Sequence, residues 1–184
     1  MQYRFFTVVV ATLALCASGT PVAQRASVHL NPVIAKLAEG KTVYGLINSG
    51  DLSLVNARET ARAPVDFVYA DMEHSPLDFP GLAIFLSGLT DKAAILCKGN
   101  LQPNVAFFAA FPQEADESTW VVKQALDIGL MGVIFNGVDT KEQAVTAVRS
   151  MRYPPVKGET RREPAGIRGY GTGGATWASS AAPA

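Results

Sequence analysis

Cysteine is scarce: Cys16 and Cys97 are the only two in 184 residues. Cys16 lies in a leading segment expected to be removed, so no intrachain disulfide is available. A mature chain must then be held by its core. Charge is sparse too, at 17% of residues, and the signs cancel to a net of zero. No basic cluster is interleaved with aromatics, which removes the electrostatic footprint that nucleic acid requires. No Walker-type loop occurs and no GxGxxG follows a strand, so nucleotide binding has no support. No apolar run reaches the 20 or so residues that a membrane span needs.

What is present begins with an apolar run over residues 5–15, preceded by Arg4 and followed by Ala17, Ser18 and Gly19. Positive start, apolar middle and small-residue exit read as a secretory signal peptide over residues 1–23, and a retained membrane anchor is the alternative. Leu15, ahead of Cys16, is bulkier than a lipidation site expects.

The remainder has the apolar content of a globular domain, and its pattern alternates helix with strand. Asn31 and Pro32 open a helix that Gly40 ends. Residues 42–47 (TVYGLI) read as a buried strand, followed by a helix that Ser49 or Asp51 caps. Residues 66–70 (DFVYA) form the next strand and deliver Asp71 at its end. Ser75-Pro76-Leu77-Asp78 resembles a capping box opening a helix through Leu89. Strands are expected at 105–110 and 131–135. Trp120, Val121, Ala125 and Ile128 form one helical stripe, and Val145, Val148 and Met151 another, capped by Thr140 with Gln143. About four βα units follow, with parallel strands joined by right-handed crossovers. Periodicity alone leaves a half-completed barrel and a small open sheet as alternatives. Residues 178–184 read as an unstructured tail.

The densest group of reactive side chains is Asp71-Met72-Glu73-His74, just past a strand's C-terminal end. Parallel α/β folds build sites there. A histidine can move protons near neutral pH, and an adjacent carboxylate can orient it; a structural strand–helix turn is the alternative. Asp127, near a helix C-terminus, opposes the helix dipole, which suggests another task. Gly166-Ile167-Arg168-Gly169-Tyr170-Gly171 is a loop with one fixed positive charge, either closing over an anion or simply turning.

Taken in order, Asp71-Met72-Glu73-His74, Leu126-Asp127-Ile128-Gly129, Arg152-Tyr153-Pro154-Pro155 and Gly166-Ile167-Arg168-Gly169 resemble the HpcH/HpaI aldolase family. The resemblance covers residues 30–177. It implies a (β/α)8 barrel of the TIM type, here reaching about four βα units, and reversible aldol cleavage of a hydroxy-2-oxo acid to pyruvate or a similar 2-oxo acid plus an aldehyde. It also implies a divalent metal, Mg2+ or Mn2+, and a homo-oligomer for the complete fold. By the same resemblance His74 is the acid–base histidine and Asp127 its orienting partner. Asp71 and Glu73 stand behind them, and Arg168 and Gly169 lie on a substrate-binding loop. Two departures stand out. Ala110 occupies the place where family members carry a carboxylate-gripping arginine, and the family's glutamate and aspartate metal ligands fall beyond the stretch this sequence covers. A non-catalytic relative that binds a small carboxylate or another subunit is therefore the competing expectation.

Overall fold

The computed structural model describes residues 29–112, 119–158 and 163–169. The expected signal peptide (1–23) and tail (178–184) lie outside the described residues.

The described chain is built from α1 (Pro32–Ala38), β1 (Gly45–Asn48), α2 (Leu54–Thr60), β2 (Phe67–Asp71), α3 (Phe79–Leu89), α4 (Lys92–Lys98), β3 (Ala106–Phe111), α5 (Thr119–Ile128), β4 (Gly132–Phe135) and α6 (Lys141–Met151). The four strands form one parallel sheet in the order β1-β2-β3-β4. Strand order equals chain order, so each crossover moves one place in the same direction, as in a barrel of this type. Among the described residues no single helix is long and apolar enough to cross a membrane.

Local chemistry explains most boundaries. Asn31 accepts the Val33 N–H to start α1, with a proline in the first turn. Its amide nitrogen also reaches the Met131 carbonyl at 3.1 Å, tying α1 to the start of β4. The capping box of α6 is complete: the Gln143 N–H donates to Thr140 Oγ1 at 3.2 Å, and the Thr140 N–H to Gln143 Oε1 at 2.9 Å.

Several expectations are corrected. The cap of α2 is Ser53, not Ser49 or Asp51; Asp51 instead accepts the Ser53 N–H at 2.9 Å. Asp78 itself caps α3 through the Gly81 N–H, so the helix starts after the 75–78 segment. α4 was not anticipated. It has Asp91 as its cap and a left-handed Gly99 at its end, yet it buries no side chain. β1 is the sheet's outer strand and its Leu46 and Ile47 are exposed, where a buried strand was expected. Its first residue is a glycine, Gly45, and the Phe67 ring occupies the space a Cβ would take there, 2.2 Å away.

The core lies between one face of the sheet and helices α2, α3 and α5. Val68, Ala70, Phe107, Ala109 and Phe111 point into it from the strands. Leu82, Phe85 and Leu86 meet them from α3, with Phe85 and Phe107 ring centroids 5.0 Å apart.

At the strands' N-terminal end, Asp66 pairs with Lys36 of α1 and accepts the Tyr44 N–H at 3.0 Å. The Lys36 ammonium, and then the Tyr44 N–H, hold the Asp66 carboxyl below the usual carboxylate range. A depressed folded-state value stabilises above the unfolded pKa of about 3.9 and loses that contribution as pH falls through the lower folded value. The urea midpoint should therefore drop below about pH 4, and the drop should be smaller in Asp66→Asn. An unchanged pH dependence in the variant would exclude this pair as a contributor.

Candidate active site

β2 ends at Asp71, and the chain turns at once. Asp71 Oδ1 accepts two backbone N–H groups, from Glu73 at 3.0 Å and from His74 at 3.2 Å. One carboxylate oxygen thus shapes the whole 71–74 turn. Met72 anchors the same turn in the core, and its N–H reaches the Ala110 carbonyl of β3 at 2.9 Å. The result is a rigid base with two reactive side chains above it.

Glu73 points across the sheet's C-terminal end. Asn136, the residue after β4, donates its amide to Glu73 Oε2 at 2.5 Å and to the Phe111 carbonyl at 3.0 Å. Three strand ends are thereby joined through one carboxamide. His74 Nε2 stands 3.7 Å from Glu73 Oε2, and its side chain is 77% exposed. An imidazole in water beside a fixed carboxylate is free to exchange protons with a ligand at the sheet's end. Asn48, ending β1, is buried and closes its own turn by donating to the Asp51 carbonyl at 2.8 Å. The sequence offered one signal for Asn48 and Asn136: each is a polar amide directly after an apolar strand run.

Asp71, Glu73 and His74 are the one group among the described residues with three potential metal-ligating atoms, lying within 4.8 Å of one another. They do not amount to a complete centre. Octahedral Mg2+ takes six oxygens at about 2.1 Å, whereas here Asp71 Oδ1 is committed to two backbone N–H groups and Glu73 Oε2 to Asn136.

Asp127 and Arg168 are placed elsewhere. Asp127 sits in the last turn of α5, which returns the chain to the end where strands begin. His74 follows the opposite end, so a single chain does not bring the two together. Asp127 Oδ1 instead accepts from Arg168 Nη2 at 2.8 Å, with side-chain exposures of 24% and 11%. The guanidinium also stacks on Tyr153, 4.6 Å from the ring centroid. Arg168 Nε is buried without a partner among the described residues. The Arg168 N–H bonds the Arg152 carbonyl, just past α6, which fixes the loop at that end. Gly169 follows beside Lys123 of α5. Arg168 and Gly169 thus lie away from the 71–74 turn, and the guanidinium is engaged in an ion pair. Ala110 is paired in register with Asp71 and is 4% exposed, so a methyl group stands at the sheet's end where the resemblance expected a cation.

No family model matches the chain. Curated relatives do. A hydroxypyruvate/pyruvate aldolase of Roseobacter denitrificans is 32% identical over 68% of this chain and 43% of its own length. Another, from Delftia acidovorans, is 33% identical over 78% and 44%. The structure of an HpcH/HpaI aldolase/citrate lyase family protein from Burkholderia cenocepacia superposes with a TM-score of 0.59 and 28% identity. The match covers 80% of this chain and 51% of that one. An HpcH/HpaI aldolase of Desulfitobacterium hafniense gives 0.54 at 26% identity, covering 76% and 45%. The chain spans about half the length of the relatives it matches. On these relatives and the shared fold, the chain belongs to the HpcH/HpaI aldolase family.

Proposed function

We propose that this chain carries part of a carbon–carbon lyase site that cleaves a hydroxy-2-oxo acid into pyruvate, or a similar 2-oxo acid, and an aldehyde. The observation that supports it is the Asp71–Glu73–His74 turn, braced by Asn136 at the C-terminal end of the sheet. Relatives named hydroxypyruvate/pyruvate aldolase and, in Klebsiella pneumoniae, 2-keto-3-deoxy-L-rhamnonate aldolase point to the same substrate class. In the proposed reaction His74 accepts the proton of the substrate's C4 hydroxyl. The C3–C4 bond breaks, its electron pair enters the C2–C3 enolate, and the aldehyde departs. The same proton then returns to C3 and gives the methyl group of pyruvate. Within one chain, Glu73 is the carboxylate nearest His74, and Asp71 fixes the backbone under both. A divalent cation, Mg2+ or Mn2+, belongs to the proposal through the family, with its main ligands outside the described residues.

The test is pyruvate release from a panel of 4-hydroxy-2-oxo acids with Mg2+ or Mn2+ present. His74→Ala should lower the rate by about 100-fold or more. Equal rates for the two proteins would remove His74 from the chemistry. A second reading, a non-catalytic relative that binds a small carboxylate, is favoured by Ala110. Saturable pyruvate binding without turnover would select it.

We also infer export. The charged start, apolar run and small-residue exit of residues 1–23 support cleavage near residue 23. Mass spectrometry of the chain recovered from an exporting host should find that segment missing. Recovery of intact chain in the membrane fraction would favour the anchored alternative.

A further inference from the structure

We propose that a cleft between α2, α3 and α4 binds a phosphate monoester through Arg58, Arg62 and Lys92. The cleft has a volume of about 470 Å3, within the range of about 300–1,000 Å3 typical of small-molecule sites. Arg58 stands in the last turn of α2, Arg62 follows one turn later, and Lys92 opens α4. All three line the cleft and are exposed, and none takes part in an ion pair among the described residues. Ser87 adds a hydroxyl from α3. Leu54, Ala61 and Gly88 make an apolar floor. A Cβ at Gly88 would lie 2.4 Å from the Ala57 Cβ, so α2 and α3 touch beneath the cleft.

Without an anion, these charges are poorly placed. Residues four apart on a helical turn are neighbours, so Arg58 and Arg62 repel each other. Lys92, in the first turn of α4, faces the positive end of that helix's dipole, where an acidic residue would be favoured. Asp91 is the one carboxylate lining the cleft, and its Oδ1 is committed to the Ala93 and Ala94 N–H groups at 2.9 and 3.0 Å. Because α4 buries no side chain, its part in the described fold is to wall this cleft. A phosphate dianion relieves all three cations at once. Two guanidinium groups can each grip a pair of its oxygens, and the Lys92 ammonium adds a point charge. The apolar floor leaves room for a short organic group beside the phosphate, which favours an ester over the free ion. Both α2 and α3 end here, at the strands' N-terminal end, whereas His74 follows the C-terminal end. The inference is therefore independent of the lyase reading, and it is tested without any turnover.

The test is calorimetric titration of the full chain with glycerol 3-phosphate, with glycerol as the uncharged control. Saturable binding with a Kd of about 1 mM or tighter is expected for the phosphate ester, and none for glycerol. Arg58→Gln and Arg62→Gln should each weaken binding by about 10-fold or more, since each removes charge-assisted hydrogen bonds to the phosphate. Both side chains are exposed, so the urea midpoint of each variant should stay near that of the parent and separate lost binding from lost fold. Lys157→Gln removes one positive charge from an exposed position outside the cleft and should leave the affinity unchanged. Vesicles carrying phosphatidic acid, which has the same phosphate ester in its headgroup, form a second arm. Binding to the vesicles alone, lost in both arginine variants, would place the ester on a lipid. No saturable binding of either probe, binding indifferent to Arg58→Gln and Arg62→Gln, or binding weakened equally by Lys157→Gln would overturn the proposal.

Discussion

Phe85→Ala is expected to destabilise the fold by about 3–5 kcal/mol, the range for truncating a fully buried aromatic. Phe85 is completely inaccessible and packs on Phe107, so one side chain joins α3 to the central strand β3. Leu82 and Leu86 flank it on the same helix, and both are themselves locked in the core, so the cavity has little means to collapse. The measurement is the urea midpoint at fixed protein concentration. A loss below about 1 kcal/mol would mean that this layer is packed far more loosely than the structure has it.

Asp71→Ala should disturb the geometry of the site most. It removes the acceptor for two backbone N–H groups, leaving the Glu73 and His74 amides without their partner. The net stability cost is about 1–2 kcal/mol, while the turn that aims both reactive side chains is released. Loss of that positioning should lower pyruvate release by about 100-fold. Asp71→Asn separates the two roles of the residue. Its carbonyl oxygen still accepts both N–H groups, so its stability should stay near that of the parent. If its rate also stays near the parent, Asp71 acts through the turn alone. A stable but inactive Asp71→Asn would mean that the negative charge itself is needed. Equal activity of Asp71→Ala and the parent would contradict the assignment of this turn as the site.

A milder effect is expected of Asn136→Ala. The side chain joins Glu73 to the Phe111 carbonyl, so its loss frees the carboxylate beside His74. Pyruvate release should fall by about 10-fold, through kcat more than KM, with a stability loss of about 1 kcal/mol. A fall in stability with no change in rate would reduce Asn136 to a structural brace.

The sequence makes some of this legible and hides the rest, for physical reasons. β2, β3 and β4 emerge within a residue or so because apolar strand runs between polar turns have few other readings. α6 emerges because Thr140 and Gln143 are a matched pair of caps. α4 stays hidden: its residues bury nothing, so no periodic stripe marks it, and only Asp91 and Gly99 at its ends announce a helix. β1 misleads in the other direction, because an apolar run looks the same at a sheet's edge as at its centre. The 71–74 turn is legible as a cluster since its members are adjacent in sequence. The partner of Asp127 is not, because helix α5 carries it to the strands' opposite end and into a pair with a residue 41 positions away. Likewise, Asn136 and Glu73 meet only because β2, β3 and β4 are neighbours in the sheet.

In the proposed reaction, His74 moves a proton at the carbon next to a 2-oxo acid's carbonyl. The most direct measurement is exchange of the methyl protons of pyruvate in deuterium oxide, followed by proton NMR with Mg2+ or Mn2+ present. Loss of the methyl signal is expected with the parent chain, and at least about 100-fold slower loss with His74→Ala. A methyl signal that decays equally with both proteins, or persists with a folded parent chain, would contradict it.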